Sequence, residues 1–224
     1  MIKSIIYALT CIIFFIVVTI VLFINLAPQF GSNPSSDQKI LYDSFSNYSK
    51  DGFKNFEPTP MMTGEISTWD FFKEDSSRKP TSAILPKSIN FDSFAKINSD
   101  YRLAWLGHSA FLVNVMGKII LLDPMLGSHA APIPLPNLKR FNEVLPIKLD
   151  SVDKIDFVVI SHDHYDHLDY STIKLLKDKV SKFLAPHGIG NHLKKWGVKS
   201  DQIVELNWNE SFSTKNIEFH CLPS

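Results

Sequence analysis

With 224 residues the chain has room for one modest domain and a terminal segment. Its 23 basic residues are balanced by 23 acidic ones, so no net field draws it to nucleic acid. Two cysteines, Cys11 and Cys221, exclude a disulfide framework and a cysteine metal site.

The first element is an apolar run. From Ser4 to Leu26 there is no charged residue, and Ile, Phe, Val and Leu dominate. About twenty such residues cross the hydrocarbon core of a bilayer as a helix. A secretory signal would have a shorter apolar region and a small-x-small cleavage site, whereas Asn25-Leu26-Ala27 lacks a small residue at the first position. Residues 1–27 therefore read as an uncleaved transmembrane anchor. Lys3 is the only basic residue before the span and the next is Lys39, which favours a cytoplasmic N-terminus and an extracytoplasmic domain. The opposite orientation stays open.

Residues 28–97 read as an irregular extension, with prolines at 28, 34, 58, 60, 80 and 86 opposing long regular elements. Phe45, Tyr48, Phe53, Phe56, Trp69, Phe71 and Phe72 are too many aromatics for a disordered linker. They fit a segment that wraps the domain and docks its rings, or one that meets lipid at the bilayer interface.

Strand signals begin at Tyr101. The runs Tyr101–Leu106, Ala110–Met116 and Lys118–Asp123 are short, apolar and broken at Gly107 and Gly117, with a tight hairpin at Met116-Gly117-Lys118. Phe157–Ile160 follows as a buried strand. Ser171–Val180 has the periodicity of an amphipathic helix, and Asn191–Trp196 that of a short one closed by Gly197. Further strands are expected at Lys182–Ala185, Gln202–Leu206 and Ile217–Leu222. Strands first, then alternating strands and helices, make a mixed α/β (α+β) domain over residues 98–224.

Directly after Phe157–Ile160 stands Ser161-His162-Asp163-His164-Tyr165-Asp166-His167-Leu168. On extended backbone His162 and His164 share a face and can close on one ion, while Asp166 and His167 splay toward a second. Imidazole and carboxylate are ligands that zinc and similar divalent ions accept, and paired ions form a common hydrolytic centre. Asp163 and Tyr165 face away, and Asp169 suits the cap of the next helix or a hydrogen bond to a ligand histidine. His108 reads as a turn histidine that could also approach the site. His129, His187 and His192 read as surface or packing residues.

The pattern HxHxDH after an apolar strand resembles the metallo-β-lactamase superfamily, αββα sandwiches of hydrolases with one or two zinc ions. Trp105–Val113 (WLGHSAFLV), Lys118–Pro124 (KIILLDP), Pro136–Phe141 (PNLKRF) and His162–Tyr170 (HDHYDHLDY) extend the likeness. They resemble the branch of N-acyl-phosphatidylethanolamine-hydrolysing phospholipase D, to which ascorbate-6-phosphate lactonase-like enzymes are related. The resemblance runs from about Pro28 onward. It implies His162 and His164 on a first metal, Asp166 and His167 on a second, and Asp166 as the catalytic residue positioning water. It also implies that Asp123 supports the metal loop. In the family a third histidine follows a Leu-Pro pair, and a bridging carboxylate and last histidine come later. Here Phe219-His220-Cys221-Leu222-Pro223-Ser224 closes the sequence, and His220 lies within the strand-like run rather than after Leu-Pro. The expectation is thus the N-terminal portion of the sandwich, preceded by one transmembrane helix.

The implied function is a membrane-anchored, zinc-dependent, phospholipase D-like phosphodiesterase. Its partners would be the bilayer and a phospholipid such as N-acyl-phosphatidylethanolamine, with no nucleic acid. A lactonase or phosphate-sugar hydrolase, and a catalytically incomplete fragment or interaction module, are the alternatives.

Overall fold

Glycine breaks and β-branched runs set the frame of the domain. In the computed structural model, which describes residues 2–50, 52–60, 80–96 and 101–223, strands β3 (Tyr101–Gly107), β4 (Ala110–Val115) and β5 (Lys118–Leu122) form an antiparallel meander. Met116 and Gly117 both have positive φ, 51° and 74°, as a two-residue hairpin turn requires. Strand β6 (Ile155–Val159) then joins β5 in parallel, followed by helix α4 (Tyr170–Leu176), β7 (Val180–Pro186), α5 (Ile189–Lys195) and β8 (Ile203–Leu206). The result is one mixed six-stranded sheet ordered β3-β4-β5-β6-β7-β8.

Each face of the sheet has its own apolar cluster. One holds Leu112, Leu121, Val158 and Phe183 against Ile173 and Leu176 of α4 and Leu193 of α5. That cluster reaches back to Phe91 and Phe94 on helix α3 (Phe91–Lys96), so the packed unit begins N-terminal of residue 98. The other face is smaller: Ile120, Phe157 and Leu184 lie under a hairpin of β9 (Ser211–Ser213) and β10 (Glu218–His220). Phe157 meets Phe219 at 5.0 Å and Phe212 at 6.2 Å between ring centroids.

Some elements differ from the sequence-based expectation. Helix α4 stops at Leu176 rather than Val180, because Val180 pairs with Ile155 and is drawn into β7. Strand β9 carries too short an apolar signal, a single Phe212 between serines, to stand out alone. The HxHxDH stretch is not extended strand. Strand β6 ends at Val159, and the chain turns so that the amides of His167 and Leu168 both donate to the His164 carbonyl at 2.9 Å.

At the N-terminus, α1 (Ile2–Leu26) buries none of its residues. At 1.5 Å per residue its 25 residues span about 37 Å, and it is long and apolar enough to cross a membrane. Three of its polar side chains bond within the helix: Thr10, Thr19 and Asn25 donate to the carbonyls of Ile6, Phe15 and Val21. After a turn at Pro28–Phe30, Trp196 Nε1 donates to the Pro28 carbonyl at 2.7 Å, and the Ser32 amide donates to His192 Nδ1 at 3.0 Å. Helix α2 (Ser36–Tyr42), capped by a Ser35/Gln38 box, delivers Tyr42 to a ring cluster with Phe45, Tyr48 and Phe53 beside His187. A two-residue ladder of β1 (Tyr48–Ser49) and β2 (Gly52–Phe53) closes this cluster, and Phe56 stacks edge-on with Trp208. Trp69, Phe71 and Phe72 fall outside the described residues.

Candidate metal centre

Strands β3, β5 and β6 run in the same direction, so the residues following them emerge at one edge of the sheet. In open α/β sheets that carboxyl edge is where ligands bind. His108 follows β3, Asp123 follows β5, and the HxHxDH loop follows β6.

Asp123 organises the loop. It adopts a positive φ of 39°, uncommon for a non-glycine residue, and its amide donates to the Val159 carbonyl. Its Oδ1 accepts from the Ser161 amide at 2.7 Å, and its Oδ2 from the Ser161 hydroxyl at 2.7 Å. The same Oδ2 lies 2.9 Å from His167 Nδ1. A proton fixed on Nδ1 turns the His167 Nε2 lone pair toward the site, the usual role of a carboxylate behind a ligand histidine.

His108 also has positive φ, 47°, and its Nε2 lies 2.8 Å from Asp166 Oδ2. His167 Nε2 is 3.7 Å from the same oxygen. His108, Asp166 and His167 each offer one ligand atom, all within 4.8 Å of one another. The rings of His162 and His164 stand beside this trio, 4.6 Å apart, with His162 4.0 Å from His167 between centroids. The four residues singled out in the sequence are therefore neighbours, and His108 joins them from a position 58 residues before Asp166. A turn sequence, Gly107-His108-Ser109 between two strands, was the only local signal for it.

The electrostatics suit ligation. Burial, reinforced by His167 and His164, lowers the His162 pKa and favours the neutral imidazole a metal needs. Burial alone would raise the Asp166 carboxyl, but hydrogen bonds from His108 and the backbone and the field of His167 bring it below its ordinary value. The Tyr165 hydroxyl, pushed up to about 12 by burial and by Asp169, stays neutral. Asp169 itself caps α4 by accepting from the Ser171 amide and holds the Gly127 amide at 2.7 Å, so it braces the loop rather than a ligand histidine. His220 lies on β10 and is 3.3 Å from Glu218, its neighbour across one residue. The donor set of imidazoles and one ionised carboxylate fits a borderline divalent ion.

A family model described as the beta-lactamase superfamily domain matches residues 118–224. An uncharacterized protein of Mycobacterium tuberculosis is 34% identical over 184 residues, covering 80% of this chain and 49% of that protein. The N-acyl-phosphatidylethanolamine-hydrolyzing phospholipase D 1 of Caenorhabditis elegans is 33% identical over 159 residues, 66% of this chain and 44% of that one. A UPF0173 metal-dependent hydrolase of Hyperthermus butylicus is 28% identical over 104 residues, 46% of this chain and 40% of the hydrolase. The chain spans less than half the length of each of these relatives. Residues 118–224 are thus similar to the beta-lactamase superfamily domain, and the mixed sheet is consistent with that fold.

Proposed function

We propose that the protein is a membrane-anchored, metal-dependent hydrolase, a phospholipase D-like phosphodiesterase acting on N-acyl-phosphatidylethanolamine or a related phospholipid. The observation that carries this reading is the gathering of His108, His162, His164, Asp166 and His167 at the carboxyl edge of the sheet. His162 and His164 would hold one ion, and Asp166 and His167, with His108 beside them, a second. Zinc suits these donors. When bound there, a divalent ion supplies Lewis acidity and lowers the pKa of a coordinated water. Asp166, held ionised by its hydrogen bonds, would position the attacking water. His108 fixes the Asp166 carboxylate, and Asp123 fixes His167 through Nδ1.

The lipid substrate rests on the likeness to the nematode phospholipase together with α1, whose length and apolarity suit a bilayer anchor. The test is the full chain in phosphatidylcholine nanodiscs, stripped by chelator and reloaded with Zn²⁺. Bound metal is counted by elemental analysis, and phosphatidic acid released from N-acyl-phosphatidylethanolamine by mass spectrometry. Zinc should restore product, and Asp166→Asn should lower turnover by about 100-fold or more. Zinc retention no greater than in a His162→Ala/His164→Ala variant would end the metal reading. Hydrolysis of a soluble lactone in place of the phospholipid would move the assignment to a lactonase.

A further inference from the structure

Ser161 follows β6 and precedes the first histidine of the HxHxDH loop, and its hydroxyl has more than one neighbour. It lies 2.7 Å from Asp123 Oδ2, 2.9 Å from His162 Nδ1 and 3.4 Å from His167 Nδ1. The last contact is the longest, and His167 Nδ1 is already served by Asp123 Oδ2 at 2.9 Å. The two short contacts make a line that runs from Asp123 through Ser161 to His162.

The protons available fix the direction of that line. A carboxylate only accepts, whereas a hydroxyl has one proton to give and lone pairs with which to receive. The contact with Asp123 uses the serine proton. None is left to donate to His162, so the ring nitrogen that faces Ser161 must itself carry one. In a neutral imidazole the hydrogen bond at one nitrogen decides which nitrogen stays bare. His162 is thereby held with its proton on Nδ1 and with Nε2 unprotonated. His167 reaches the same state directly on Asp123. His164 is the contrast: its side chain is exposed, and no hydrogen bond among the described residues holds either of its ring nitrogens.

We propose that Ser161 is a positioning residue for the metal centre: its hydroxyl, seated on Asp123, presets the His162 tautomer that leaves Nε2 free for the ion. One carboxylate then orients a ligand of each ion, His167 directly and His162 through the serine. The inference rests on His162 and His167 being ligands, as proposed above. Holding a ligand ring through its second nitrogen is commonly worth roughly 10- to 100-fold in metal affinity.

Ser161→Ala is a clean probe, because it deletes the hydroxyl and spares the Ser161 amide, which donates to Asp123 Oδ1 at 2.7 Å. Ser161→Thr keeps the hydroxyl. Both are compared with the wild type as full chains labelled with ¹⁵N-histidine, in phosphatidylcholine bilayers at about pH 8, where an ordinary imidazole is neutral. Solid-state ¹⁵N spectra of the metal-free chain should show a protonated Nδ1 and a bare Nε2 for His162, whose signals are identified by their loss in His162→Ala. In Ser161→Ala the ring should spread over both tautomers, and Ser161→Thr should restore the single one. Co²⁺ affinity, measured by competition with a chromophoric chelator, should fall about tenfold in Ser161→Ala and recover in Ser161→Thr. A residue that merely shaped the loop would leave the tautomer alone. An unchanged His162 tautomer in Ser161→Ala, or an unchanged Co²⁺ affinity, overturns the proposal. If the wild type retains no more Co²⁺ than His162→Ala/His164→Ala, the metal reading falls and the positioning role falls with it. If it retains Co²⁺ that Ser161→Ala does not weaken, only the positioning role falls.

Discussion

Asp169 is 1% exposed, yet its carboxylate accepts from the Ser171 amide and hydroxyl, the Thr172 hydroxyl and the Gly127 amide. A buried ionised group survives only with such a full set of donors. Removing it strips the cap of α4 and strands the Gly127 amide, so Asp169→Ala should destabilise the fold by about 3 kcal/mol in urea unfolding. A loss below about 0.5 kcal/mol would show that water replaces the network. The capping half of this role was readable from an Asp placed before an amphipathic run. The Gly127 half was not, because its partner lies 42 residues away. The same holds for the site: the i, i+2 and i+4, i+5 spacing of His162, His164, Asp166 and His167 exposed the ligand types. His108 and Asp123 reach them only through the parallel alignment of β3, β5 and β6, which no local pattern encodes.

Among the elements, the join between the segment after α1 and helix α5 has a pH dependence. His192 Nδ1 accepts from the Ser32 amide, and burial holds its pKa below the ordinary value, against the opposing pull of Asp163. The neutral ring is the one the fold wants. The unfolded chain takes up a proton near pH 6.5. This contribution is therefore complete above about pH 6.5 and is lost as pH falls from there through the lower folded-state value. The melting temperature should drop between about pH 7.5 and pH 5, and His192→Asn should flatten the part of the drop that belongs to this residue. His162 shifts in the same direction, so the variant rather than the wild-type curve isolates His192. An unchanged slope in the variant would remove His192 from the account. Gly31 is bound to the same join: its φ is 69°, and a Cβ there would run into the His192 imidazole. None of this was visible in the sequence, where His192 reads as one surface or packing histidine among several. The strands of the meander were visible, since glycines at 107 and 117 break short apolar runs. The loop conformation of HxHxDH was hidden because period-two spacing of histidines suits both a strand and a tight turn.

For the molecule as a whole, the order of elements from Tyr101 to Leu206 followed from periodicity and turn residues, and so did its mixed α/β class. The reach of the core back to Phe91 and Phe94 did not, because two phenylalanines among prolines and serines carry no period. Nor did the tie between the segment after α1 and the end of helix α5, in which Trp196 donates to Pro28, 168 residues earlier. Only Ala27 separates the end of α1 from the turn at Pro28–Phe30, and Phe30 packs edge-on against Phe23 of the helix at 5.5 Å. With α1 in a bilayer, the domain has no slack with which to swing away from the surface. Its encounters are then collisions in a plane, counted per unit area and not per unit volume. On the lipid-hydrolase reading proposed above, adding empty vesicles should leave the rate per enzyme unchanged, while thinning the substrate within the enzyme's own bilayer should slow it in proportion.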